Sequence, residues 1–189
     1  MNNTAASKTE LRRIIAKKIS QLSIDFRKAE SDKVMQIIES LPEFQSATTI
    51  MCYHSMPNEL GTHEAIKRWA ETKTVVLPRV KGDDLLLLEF SPDKLDIGRY
   101  GICEPSLDCI PVELSDIQLI IVPGVGFDEE CNRMGHGKGF YDRLLSNKDD
   151  ATKLIGVAFD CQIVDAVPHC SHDIRMDKVI SASHIYIKP

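Results

Sequence analysis

The chain has 189 residues, 43% of them apolar and 27% charged, with a formal net charge of −5. That length fits one domain with its own core, and the balance is the one expected of a soluble globular protein. The negative charge argues against a nucleic-acid surface, and no apolar run approaches the roughly 20 residues a membrane helix needs.

In chain order, residues 8–22 read as a helix. Leu11, Ile14, Ile15, Ile19 and Leu22 recur at helical spacing, with basic residues on the other side. Ser23 is set to cap a second helix running to about residue 41, with Val34, Ile37, Ile38 and Leu41 as its buried stripe and Pro42 ending it. A strand at 48–53, a loop at 57–61 and a helix from Thr62 to 71 follow. A short strand at 74–77 precedes Pro78-Arg79, and the turn Gly82-Asp83-Asp84 leads into a strand at 85–90. Residues 91–113, rich in proline and glycine, read as a long irregular excursion. The apolar run 119–122 has the character of a central strand buried on both faces. Residues 123–139 then read as a glycine-rich loop and 140–145 as the start of a helix, with further strands at 154–159, 178–181 and 185–187. This alternation predicts an α/β fold: one domain over residues 1–189, with a largely parallel open sheet flanked by helices and ligands at the carboxyl ends of the strands.

Six cysteines, Cys52, Cys103, Cys109, Cys131, Cys161 and Cys170, invite a disulfide reading. The polar opening stretch 1–11 lacks the apolar core of a signal peptide, so reduced thiols and a cytoplasmic location are expected instead.

The chemistry concentrates after residue 122. Gly124, Gly126, Gly135, Gly137 and Gly139 are five glycines within sixteen residues. The last three alternate in Gly135-His136-Gly137-Lys138-Gly139 directly before a helix. Glycine lets the backbone approach an anion and turn its N–H groups onto it, and Lys138, Arg133 and His136 add positive charge. The spacing is neither that of a Walker loop nor that of a dinucleotide fingerprint. The bland alternative is a tight strand-to-helix turn with no ligand. Asp142, just behind, either holds Mg²⁺ beside a phosphate or simply opens a helix. The cluster Pro168-His169-Cys170-Ser171-His172-Asp173-Ile174-Arg175-Met176-Asp177 is either a site edge or a solvated loop. A zinc site from Cys161, His169, Cys170 and His172 matches no common spacing. Lys8 and Arg12 share a helix face, while Glu59 and Arg79 follow strands where α/β proteins place ligand contacts.

Taken together, the chain resembles the 5-formyltetrahydrofolate cyclo-ligases (methenyltetrahydrofolate synthetases). The resemblance rests on Lys8-Thr9-Glu10-Leu11-Arg12, Ser55-Met56-Pro57-Asn58-Glu59, Leu77-Pro78-Arg79 and Tyr100-Gly101-Ile102-Cys103-Glu104-Pro105. It continues through Pro123-Gly124-Val125-Gly126-Phe127-Asp128, Asn132-Arg133, Gly135 to Arg143, Gly156-Val157-Ala158-Phe159, and His172-Asp173 with Asp177. It implies an ATP- and Mg²⁺-dependent conversion of 5-formyltetrahydrofolate to 5,10-methenyltetrahydrofolate, with ADP and phosphate released through an imidate phosphate. By resemblance, Lys8, Arg12 and the loop Arg133-Met134-Gly135-His136-Gly137-Lys138-Gly139-Phe140-Tyr141 bind ATP. Lys138 and His136 take part in catalysis, Asp142 and Asp173 hold Mg²⁺, and His54, Met56 and Glu59 line the folate site together with His136 to Phe140. The family often has arginine or tyrosine at the place of His136, and tyrosine at that of Phe140. The implied fold is related to ribose-phosphate isomerase and glucosamine-phosphate deaminase, the implied partners are small molecules, and a monomer or weak homodimer is expected. The rival reading is a non-catalytic or differently specific binder of a phosphorylated metabolite on the same fold. An interaction module would need an exposed apolar stripe, for which the sequence gives little support.

Overall fold

The computed structural model describes residues 3–98, 101–170 and 173–189. Tyr100 and His172, named above, lie outside the described residues. Two N-terminal helices, α1 (Asn3–Ser20) and α2 (Ile24–Ser40), precede the sheet. Ser23 caps α2 as expected, its hydroxyl accepting the Phe26 N–H. Pro42 does more than end α2. Leu41 is extended, as the residue before a proline prefers, and Pro42 opens a short helix, α3 (Pro42–Ser46).

The strands are β1 (Thr49–Met51), β2 (Thr74–Lys81), β3 (Asp84–Glu89), β4 (Leu95–Ile97), β5 (Cys103–Pro105), β6 (Leu119–Pro123), β7 (Gly126–Phe127), β8 (Arg133–Met134), β9 (Lys153–Val157), β10 (Lys178–Ile180) and β11 (Ile185–Ile187). Helices α4 (His63–Trp69) and α5 (Phe140–Leu145) follow β1 and β8. Seven strands form the main sheet in the order β11-β10-β9-β6-β1-β2-β3, parallel from β10 to β2 with an antiparallel strand at each edge. Two small hairpins, β4–β5 and β7–β8, stand apart from it.

β6 is buried at every position, and its side chains alternate between two cores. Leu119 and Ile121 join Ile15, Val34, Ile38 and Trp69 under the N-terminal helices. Ile120 and Val122 join Phe127, Leu145 and Leu154 on the other face.

The structure corrects three expectations. β2 runs through Pro78 to Lys81 because β1 ends opposite Val76, leaving Pro78 with a neighbour on one side only. The excursion at 91–113 contains the β4–β5 hairpin, which packs on β2. On α1 the basic pair is not opposite the apolar stripe: Lys8 and Arg12 continue the line of the buried Ile15 and Ile19, whereas Ile14 is 40% exposed.

Candidate functional site

From β1 the chain proceeds to β2 and β3, and from β6 it proceeds the other way, to β9 and β10. Between β1 and β6 the outgoing loops therefore diverge, and a crevice opens at the carboxyl ends of the strands. The loop after β1 and the glycine-rich segment after β6 meet there around a cavity of about 310 Å³.

The first loop is held by its own polar groups. The Tyr53 hydroxyl donates to the Leu60 carbonyl at 2.8 Å, and burial pushes its pKa well up. Thr62 makes no cap bond to α4. Its hydroxyl donates to the Tyr53 carbonyl at 2.6 Å and accepts the Ser55 N–H, so it closes the loop instead. This frame presents Glu59, whose Oε2 accepts the Met56 N–H at 2.9 Å and whose Oε1 lies 3.4 Å from His136 Nε2. His54 stacks on His63 with ring centroids 3.9 Å apart. Burial pushes the His54 pKa down to about 4, with His63 and Lys67 adding to the effect, so the ring is neutral at physiological pH.

The second wall is built on buried Arg133. Its guanidinium donates to the Pro123 carbonyl at 3.2 Å and to Asp142 Oδ1 at 2.6 Å, and it lies over the Tyr141 ring. Gly137 and Gly139 take φ of +89° and +72°, a region that side chains resist, so the chain can fold back between β8 and α5. Arg12 Nε donates to the Gly135 carbonyl at 3.0 Å, which seats α1 on this loop, and Lys8 pairs with Asp173 at 3.0 Å one turn away. Lys138 is exposed, and its Nζ makes no bond among the described residues. Phe140 lies beneath the Arg143 guanidinium. The Tyr141 hydroxyl is buried with no partner among the described residues, and burial pushes its pKa up. A buried hydroxyl left unpaired on a cavity wall marks a position for a polar ligand atom.

His54, Met56, Glu59, Arg133, Gly135 to Tyr141 and Asp142 thus converge on one cavity. Arg12 reaches the loop from behind, whereas Lys8 reaches Asp173 and not the loop. Met134 has its side chain in the core and offers only backbone. Asp142 and Asp173 do not share a cavity: Asp173 lines a second one with His169, Cys170 and Arg175. Each carboxylate already has a cationic partner, and among the described residues no group of three or more His, Cys, Asp or Glu side chains is placed to hold a metal. That fits Mg²⁺ taken up with nucleotide phosphates, which needs one or two carboxylates. Sequence reasoning passed over the wall made by Ile102, Cys103 and Glu104 on the β4–β5 hairpin, although Glu104 stood within a quoted motif. Arg79 is a structural tie, bonded to Asp96 at 3.0 Å and the Pro105 carbonyl at 2.7 Å.

A parallel sheet whose switch point joins a glycine-rich loop, flanked by cations, to an apolar pocket defines an α/β protein with its cavity at the carboxyl ends of the strands. Residues 4–182 match the 5-formyltetrahydrofolate cyclo-ligase family, and the chain belongs to that family. It is 36% identical over 152 residues to the 5-formyltetrahydrofolate cyclo-ligase of Escherichia coli K12, an alignment covering 77% of this chain and 84% of the relative. It is 32% identical over 180 residues to that of Haemophilus influenzae, covering 92% and 94%. The solution structure of Aquifex aeolicus 5,10-methenyltetrahydrofolate synthetase superposes with a TM-score of 0.86 at 33% identity, covering 95% of this chain and 92% of that one. Among the described residues no helix is long and apolar enough to cross a membrane, and all six cysteines are free.

Proposed function

We propose that the protein converts 5-formyltetrahydrofolate to 5,10-methenyltetrahydrofolate at the expense of ATP, with Mg²⁺, releasing ADP and phosphate. The observation that carries this reading is the seating of Arg12 on Gly135, because it joins a cationic helix face to a glycine-rich loop that also walls an apolar cavity. ATP fits the charged side and a pterin fits the apolar one.

In this scheme the formyl oxygen attacks the terminal phosphorus and ADP leaves. N10 then attacks the formyl carbon of the imidate phosphate, loses its proton, and phosphate departs with the former formyl oxygen. Such chemistry asks for positioning and charge neutralisation rather than an enzyme nucleophile. Lys138, uncommitted and exposed, neutralises charge on the transferred phosphoryl group. His136, 55% exposed, donates a hydrogen bond from the same loop. Arg133 braces the loop from beneath, and neutral His54, Met56 and Glu59 bound the folate side. Asp142, on the cavity wall, would hold Mg²⁺, which would neutralise phosphate oxygens, whereas Asp173, the other carboxylate expected to bind it, lies in the second cavity beside Lys8. The reading extends to a cytoplasmic monomer or weak homodimer, with a sheet akin to that of ribose-phosphate isomerase and glucosamine-phosphate deaminase. A loop of phosphate-binding character behind a parallel strand supports that kinship.

The test is absorbance at the methenyl chromophore with 5-formyltetrahydrofolate, with and without MgATP. Growth that needs both protein and MgATP is the expected outcome. Nucleotide binding by calorimetry without any such growth would instead favour a relative with another substrate.

A further inference from the structure

Two of the three buried carboxylates among the described residues, Asp128 and Glu104, differ sharply in how they are satisfied. Asp128, 3% exposed, accepts bonds from the backbone N–H groups of Glu130, Asn132 and Val167 and from the Asn132 amide. That is a complete structural role. Glu104, 4% exposed on β5, accepts one long bond, from the Val80 N–H to Oε1 at 3.3 Å. Among the described residues its Oε2 accepts none, and no cation pairs with it. Arg79, on the neighbouring strand, is spent on Asp96 and the Pro105 carbonyl. The fold thus engages one oxygen of this carboxylate and leaves the other unbonded on a residue that lines the cavity.

The position of Glu104 is nevertheless built. Its carboxyl group lies against the backbone of Gly98, where an added Cβ would come within 2.2 Å of Oε2 and displace the carboxylate from this position. The side chain also lines the apolar cavity, together with Val80, Leu85 and Ile102. Glu59 enters that cavity from the loop after β1, whereas Glu104 enters from the hairpin over β2. An apolar pocket carrying carboxylates on two walls suits a flat heterocycle with N–H donors on more than one edge.

We propose that Glu104 is a specificity residue for the folate substrate, its carboxylate accepting N–H hydrogen bonds from the reduced pterin ring. This rests on the folate reading above and adds to it a second acceptor, separate from Glu59. A carboxylate also disfavours rings that present only acceptors on that edge, so the site discriminates by leaving a buried charge unpaired.

The test compares wild type with Glu104→Met, which keeps length without an acceptor, and Glu104→Gln, which keeps one acceptor oxygen. Expected for Glu104→Met is a ten- to hundredfold rise, roughly, in KM for 5-formyltetrahydrofolate, with kcat and KM for ATP within about threefold. Glu104→Gln should recover part of that loss. Calorimetry without ATP, using 5-formyltetrahydrofolate and 6-methyltetrahydropterin as probes, should show the same ratio for both, because the contact is to the ring. An unchanged folate KM would overturn the proposal. So would KM for both substrates rising together with a fall in kcat, or a loss confined to the tailed probe. Should wild type bind the folate yet form no methenyl product, the reaction reading fails while the calorimetric ratio still decides the role of Glu104. If wild type binds neither probe, both readings fall. Thermal unfolding of each variant separates a folding defect from a binding one, and Glu104→Gln, isosteric against Gly98, carries the test should Glu104→Met not fold.

Discussion

Replacing Glu30 by glutamine should flatten the dependence of stability on pH. Glu30 lies on α2, 7% exposed, hydrogen-bonded to the Asp160 carboxyl group in the turn after β9, and its Oε2 is buried without a partner. Burial pushes its pKa from 4.5 up to about 7, and the Asp160 charge adds to the rise against a small opposing effect of Lys33. Burial would raise Asp160 too, but bonds from Ser181 and Ser183 outweigh it and hold Asp160 below its usual range, so the shared proton belongs to Glu30. Because the folded pKa is the higher one, the fold prefers the protonated acid. The contribution is full below about pH 4.5 and is lost as pH rises through about 7. At roughly 1.4 kcal/mol per pH unit the gap corresponds to about 3 kcal/mol at most, and partial hydration brings the expectation to about 1–3 kcal/mol. Glutamine cannot ionise, keeps the length, and can donate to Asp160. Urea unfolding at pH 5, 6, 7 and 8 should show wild type losing about 1–3 kcal/mol more than Glu30→Gln across that range. Parallel curves, or wild type gaining on the variant as pH rises, would refute the argument. His54, whose lowered pKa gives stability that is lost as pH falls from 6.5 towards about 4, is present in both proteins and cancels in the difference.

Lys138→Ala should lower kcat at saturating ATP by about a hundredfold or more, since a preorganised charge on a transferring group is worth that much; near-normal turnover would remove it from the chemistry. Asp142→Asn should raise the Mg²⁺ concentration needed for half activity by about tenfold, and an unchanged titration would exclude Asp142 as a ligand. Gly156→Ala puts a methyl 2.6 Å from the Phe127 ring in the middle of β9. Overpacking there should cost about 1–3 kcal/mol, read as a lower denaturation midpoint with KM values unchanged.

How far the sequence could be read depended on how local each signal was. The α5 segment, the both-faces-buried β6 and the Ser23 cap were evident because their causes lie within a few residues. Pro78 misled because its tolerance inside β2 depends on where a different strand stops. The basic pair on α1 was read as sharing one helix face, yet the place of Arg12 in the buried line is set by a loop more than a hundred residues later. Glu104 escaped as a site residue for a similar reason. Nothing adjacent in the chain tells that, among the described residues, its carboxylate accepts only the Val80 N–H, an arrangement created when the β4–β5 hairpin lies over β2. The glycine-rich segment before α5 was legible as a loop, whereas the cavity it encloses is a property of two diverging strands.

The pairing of Lys8 with Asp173 links residues 165 positions apart. A ribosome releases the first helix when most of the sheet has yet to be translated, so the cations on that helix have no counterpart during nearly the whole of synthesis. Only when the segment beyond β9 has emerged can α1 be fastened at both Gly135 and Asp173. Incomplete chains therefore lack the seated α1, however well their central strands have formed.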